Sequence, residues 1–210
     1  MDRYQGFDAQ PNEAQVDELL LQALETEMGG IQVYTLAIEC AQDEDLREEW
    51  QKYLEQTREH ERILNDVFQE RGLDVNQQSP GRDVVRHLGE SLVRAMQMAK
   101  ANGSPEAAEL VAAECVVLAE TKDHANWELL GEVAKGFGAE GRYIKEAHDE
   151  VEEQEDEHLY HTMGWSRELW LQSLGLPAVL PPPEEKKDVK SAIGAARAKN
   201  ARKKMAKKKA

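Results

Sequence analysis

The stretch Val151–His161, VEEQEDEHLYH, decides how this chain is read. Within it Glu155 and His158 stand three residues apart. On a helix that spacing stacks a carboxylate and an imidazole on one face, one turn apart. Facing helices of a bundle chelate metal ions with this Glu-x-x-His spacing. A chain with 41 acidic residues contains such pairs by chance, so the pair gains weight only if other helices bring matching groups to the same depth.

Outward from that stretch, periodicity near 3.6 predicts helices almost throughout. A helix over 142–165 places Ile144, Ala147, Val151, Glu155, His158, Thr162 and Trp165 inward. Ser166 is expected to cap a short last helix whose Leu169, Trp170 and Leu174 cover one end of the bundle. Before the glycine-rich GFGAEG, Ser104 and Pro105 begin a helix to about residue 135 with the stripe Leu110, Ala113, Val117, Glu120, His124 and Trp127. A helix from Gln15 carries Leu20, Leu24, Glu27, Ile31, Tyr34 and Ile38. The next, 46–71, carries Trp50, Tyr53, Thr57, His60, Leu64 and Val67 and ends at a Gly72 C-cap. A shorter helix over 82–101 turns Val84, Val85, Leu88, Leu92, Ala95, Met96 and Ala99 to its apolar side, its methionines filling core gaps.

Glu27 and Glu120 are embedded in apolar stripes, where an uncompensated carboxylate is costly and needs a partner or a cation. Glu27 and His60 lie 16 and 17 residues on either side of Asp43, so they meet at one level of an antiparallel pair. The two halves of the chain repeat this plan. Aligning Glu27 with Glu120 brings Tyr34 onto Trp127, seven residues later in each half. Aligning His60 with His158 matches Gln56 with Gln154 and Glu59 with Glu157, while Thr57 falls on Glu155. A pseudo-twofold four-helix bundle follows, with 82–101 in a long crossover between the halves.

At this point the chain resembles the ferritin-like, rubrerythrin-type dimetal carboxylate proteins, over about residues 15–163. In that family one helix of each pair gives a Glu and the other a Glu-x-x-His. Glu27 and Glu120 match the single glutamates, and Glu155 and His158 match one complete Glu-x-x-His. His60 matches the second histidine, but Thr57 stands where its carboxylate belongs. Asp123 stands at the offset of a further carboxylate found in the rubrerythrin group. Asp123, His124 or Glu59 could fill the vacant position. The resemblance implies redox chemistry with dioxygen or peroxide, and it implies oxidative-stress protection. Tyr34 and Trp127 are then either packing or a shield and electron relay beside the metals. Mixed nitrogen and oxygen ligands suit a dinuclear iron site, or alternatively manganese, rather than calcium. With only Cys40 and Cys115 there is no rubredoxin-like Cys-x-x-Cys pair, so an external electron donor is required. The rival readings are a DNA-associating protective protein and a helical scaffold whose metal site has decayed.

Of the other histidines, His87 and His148 are expected on the surface, and His161 is a candidate partner behind the ligands. The acidic runs Glu44–Glu49 and Glu152–Glu157, Glu155 excepted, are expected to face solvent.

The net charge of −15 is unevenly spread. From Pro181 onward 11 Lys/Arg face 3 Asp/Glu, a tail of +8 on a body of −23. Such a tail can bind nucleic acid without sequence preference. No apolar run approaches the ~20 residues that span a bilayer, and the first ten residues lack the layout of a signal peptide. A cytoplasmic chain with two buried thiols, forming a homodimer, is the expectation. The expected organisation is a flexible segment 1–14, a bundle 15–175, a proline-rich linker 176–185 and a disordered lysine-rich tail 186–210.

Overall fold

The computed structural model describes residues 11–177, and every regular element among them is helical. Helix α1 spans Glu13–Cys40, α2 Glu44–Arg71, α3 Pro80–Asn102, α4 Pro105–Phe137 and α5 Arg142–Ser173, with a 3₁₀ turn, Gly138–Gly141, between the last two. The punctuation is local. Asn12, Asp43, Ser79 and Ser104 each cap a helix through a side-chain oxygen, and Pro80 and Pro105 occupy first turns where no amide donor is lost. Gly72 ends α2 in the left-handed region at φ 71°, which only glycine enters at little cost. Across the bundle, Glu109 Oε1 on α4 accepts from the amides of Gln42 and Asp43 at 2.6 and 2.7 Å and fixes the tight α1–α2 turn.

Helices α1, α2, α4 and α5 form the bundle, α1 against α2 and α4, and α5 against α2 and α4. Two apolar layers run through it. One takes residues 16–24 of α1, 63–68 of α2, 127–137 of α4 and 144–151 of α5. The other takes residues 33–41, 46–54, 108–116 and Trp165. Each bundle helix therefore reads apolar, polar, apolar, and the four polar segments meet at mid-height. The order of the layers also gives direction: α2 and α4 run the same way. A short loop cannot join two helices running the same way, so α3 spans the length of the bundle between them, packed on α1 and α4.

Three expectations are corrected here. Helix α5 continues through Ser166, so there is no separate short C-terminal helix. Gly164 is buried within it and Trp165 Nε1 donates to Glu49 Oε2 at 3.0 Å, so packing overrides the weak helix preference of glycine. Of the residues meant to close the bundle end, Leu169 packs on the core while Trp170 and Leu174 are exposed. On α3, Val84, Leu88 and Met98 face solvent, whereas Val85, Met96 and Arg82 are buried. Arg82 turns inward because Glu25 is buried opposite it, Nε to Oε2 2.7 Å. The first ten residues and everything from residue 178 on, which include the linker and the lysine-rich tail, lie outside the described residues. Among the described residues no helix is long and apolar enough to cross a membrane.

Candidate metal centre

The polar mid-layer collects Glu27 from α1, His60 from α2, Glu120 and Asp123 from α4, and Glu155 and His158 from α5, all buried. Two groups of potential ligand atoms lie within 4.8 Å of one another: His60, Glu155 and His158, and Glu27, Asp123 and Glu155. Glu155 belongs to both groups. Glu120 adjoins the first group, its Oε2 3.6 Å from His158 Nδ1.

Both imidazoles are held from behind by the other half of the chain. His60 Nε2 is 3.2 Å from Gln154 Oε1, and His158 Nε2 is 3.1 Å from Gln56 Oε1. A neutral imidazole that donates its Nε2–H to an amide oxygen keeps a lone pair on Nδ1. Burial pushes His60 down to about 4, so it is neutral at physiological pH. Its Nδ1 faces Glu155 Oε1 at 3.0 Å and Glu27 Oε1 at 3.6 Å. Acceptor against acceptor at that distance is repulsive unless a proton or a cation lies between them.

The carboxylates say the same. Among the described residues no hydrogen-bond donor reaches Glu27 Oε2, Glu120 Oε2, Asp123 Oδ1 or either oxygen of Glu155. Burial, then the charges of Glu155 and Glu120, push Glu27 well above the ordinary carboxylate range. Burial, then Glu27, Glu155 and Glu120, do the same to Asp123. Burial and Glu120 push Glu155 up to about 8, against the opposing pull of His158 and His124. Buried like charges this close hold protons or a metal.

The two aromatic candidates each lie beside a glutamate of the other half of the chain. The indole of Trp127 donates to Glu27 Oε1 at 2.8 Å, which orients that carboxylate and leaves Oε2 free. Tyr34 is fully buried beside Glu120, and burial together with that charge raises its hydroxyl well above its usual range. Of the three residues considered for the vacant carboxylate position, Asp123 reaches the cluster. His124 sits at the rim with Nε2 2.9 Å from Asp156 Oδ1, and Glu59 is on the surface with Arg62. Thr57 does not substitute as a ligand: its hydroxyl donates to the Tyr53 carbonyl at 2.9 Å.

A second buried polar group gathers at His161, the residue expected behind the ligands, and takes in Glu49, which the sequence reading missed. Tyr53 Oη is 2.8 Å from His161 Nδ1 and 3.0 Å from Glu49 Oε1, and Trp165 holds the other Glu49 oxygen. The ring of Tyr53 lies 4.3 Å from that of His158, so Tyr53 stands between His161 and that imidazole. Glu49 thus departs from the solvated acidic run expected of it. The available signal was that Glu49, Tyr53, Gln56 and His60 share one helix face at spacings of three and four. His148 departs too: its ring packs where a side chain on Gly131 would stand, with a Cβ there 2.5 Å from Nε2. His87 is exposed as expected.

No protein-family model, curated protein or solved structure matches this chain. What the centre does is therefore argued from its own geometry. Four carboxyl groups and two imidazoles from four separate helices form one buried cluster of potential donors. The donors fit a cation, because among the described residues six ligand-type atoms there have no hydrogen-bond partner: Glu27 Oε2, His60 Nδ1, Glu120 Oε2, Asp123 Oδ1 and both Glu155 oxygens.

Proposed function

We propose that this chain is a ferritin-like, rubrerythrin-type dimetal carboxylate protein that performs oxygen- or peroxide-linked redox chemistry. The observation that carries the reading is the apposition of the His60 Nδ1 lone pair and unpartnered carboxylate oxygens around Glu155. The single long crossover formed by α3 also supports a ferritin-like layout. Glu27, Asp123 and Glu155 would hold one ion, and His60, His158 and Glu155 the other, with Glu120 beside the second. Nitrogen and oxygen donors together favour iron, with manganese the alternative. Two such ions, when bound, would supply paired one-electron steps, the two electrons that reduction of peroxide requires.

The protein's own contributions are positional and electrostatic. Gln56 and Gln154 fix the tautomer and plane of each imidazole. Trp127 fixes Glu27. The apolar layers above and below keep bulk water from the mid-layer. Burial and Glu120 push Glu155 up to about 8, so it would give up a proton to a cation held there. Reducing equivalents would come from an external donor.

The reading is tested by metal analysis of protein produced with iron or manganese, followed by stopped-flow mixing of the iron(II) form with peroxide. Two ions per chain, and peroxide consumed faster than by free iron without mineral accumulation, are expected. In Glu155→Gln, which alters both groups, the content should fall to one ion or none. Metal-free protein under both growth conditions would leave a helical scaffold with a decayed site.

A further inference from the structure

A cavity of about 280 Å³ opens between α1, α3 and α4, outside the metal centre. Its wall is apolar, built by Val33, Val85, Leu88, Leu92 and Leu118. The glycines explain the space. A Cβ on Gly89 would stand 3.6 Å from the Gly29 Cα, so α1 and α3 touch there backbone to backbone. Gly30 and Ser91 beside that contact bring almost no side chain to fill what is left. Leu88 and Leu118 remain 54% and 60% exposed. An apolar cavity with exposed leucines at its mouth is a candidate ligand pocket.

Its polar lining singles out one group. The Thr26 hydroxyl donates to the Gln22 carbonyl and accepts from Asn126, at 2.8 and 3.0 Å. Ser91 donates to the His87 carbonyl at 2.7 Å. The Glu25 carboxylate is held by Arg82 and Arg86. Lys122 is different. Its ammonium donates to the neutral amide of Asn126, and among the described residues it has no carboxylate partner. The other described lysines, Lys52, Lys100, Lys135 and Lys145, are each paired with one. On so acidic a body, a cation without an anion beside an apolar cavity is complementary to a ligand that carries both features.

We propose that this cavity binds a small amphiphilic carboxylate, a short aliphatic acid whose chain lies against the leucines and valines and whose carboxylate pairs with Lys122. Ligand pockets run from about 300 to 1,000 Å³, so a cavity at the lower end selects a short chain. Thr26, Ala119 and Lys122 are the sequence neighbours of Glu27, Glu120 and Asp123. The ligand would therefore lie behind the metal centre, with the backbones of α1 and α4 between. The site goes beyond the redox reading and stands without it.

Calorimetric titration of the full chain with sodium octanoate, sodium butanoate and octanol tests the proposal, with metal content measured on the same samples so that the two readings fail separately. Octanoate should bind saturably at one per chain. It should bind at least tenfold more tightly than butanoate, since each buried methylene adds affinity, and more tightly than octanol. Lys122→Gln should weaken octanoate at least fivefold with an unchanged circular dichroism spectrum. Leu88→Glu, on an exposed position that does not endanger folding, should weaken it further by placing an anion at the mouth. Absence of saturable binding would overturn the proposal, as would equal affinity in both variants. So would a dimer that ignores octanoate and is dissociated by Leu88→Glu, because the face would then belong to a second copy of the chain.

Discussion

At the scale of single residues, the centre is a site built to be unfavourable when empty of cations. Glu155, raised to about 8, binds a proton in the folded state that the unfolded chain releases near the ordinary 4.5. A group of that kind stabilises the fold less as pH rises from 4.5 through 8. Glu27 and Asp123 are raised and act in the same direction. His60, lowered from 6.5 to about 4, opposes them, but only between those two values. Of these four groups, only the carboxyls contribute between pH 6.5 and 8. Metal-free protein should therefore melt at a lower temperature at pH 8 than at pH 6.5, by roughly 2–4 °C for each kcal/mol lost. Differential scanning calorimetry checks this, and iron or manganese should abolish the difference. Binding of either metal at pH 7 should also release protons, read as buffer-dependent heats. Thr57→Glu offers a complementary test. The Thr57 methyl faces Gly30, where even a Cβ would be 3.3 Å away. A glutamate there would add a carboxylate at the position that the proposed ferritin-like pattern leaves vacant. It should lower the melting temperature of the metal-free protein and raise metal affinity about tenfold, measured by competition with a chelator.

At the scale of helices, the bundle depends on ties between elements as much as on helix propensity. The clearest is at α3. Arg82 is buried, pairs with Glu25, and donates to the Val75 and Gln77 carbonyls at 2.6 and 2.9 Å. It thereby joins α1, the 72–79 connection and the start of α3. Burial works against the charge of Glu25, but Arg86 and Arg82 together hold it below the ordinary range. Arg82→Ala removes one of these partners from a buried carboxylate and should cost about 3 kcal/mol, measured by urea denaturation. Arg86 partly compensates, so pairing Arg82→Met with Glu25→Gln should recover part of the loss.

At the scale of the whole molecule, charge divides the chain more sharply than structure does. The body of −23 and the tail of +8 are unlike solutes. The described residues end at 177, so contact with nucleic acid is a prediction from composition. Full-length protein should shift duplex DNA in a gel with strong salt dependence. Truncation after Pro183 should abolish that shift while leaving metal content as it was. An unchanged shift after truncation would assign DNA contact to the body.

The order of the five long helices, the caps at Gly72 and Ser104, and the convergence of Glu27, His60, Glu155 and His158 were legible in the sequence. Each rests on local chemistry or on the helical period, and the period alone places groups at one depth. What the period cannot express is which side of a helix meets a partner, or what lies across a contact. Val84 and Leu88 fit an apolar stripe yet face water, because α3 lies outside the bundle. Glu49 sits in an acidic run yet is buried, because Tyr53 and Trp165 bond it. Asp123 enters the cluster and its neighbour His124 does not, a choice made by 100° of helix rotation against a packed neighbour. The amino-acid order determined the helices and the level at which their polar segments meet. Tertiary packing alone decided which side chains at that level face one another, because burial and partner contacts are properties of the assembled bundle.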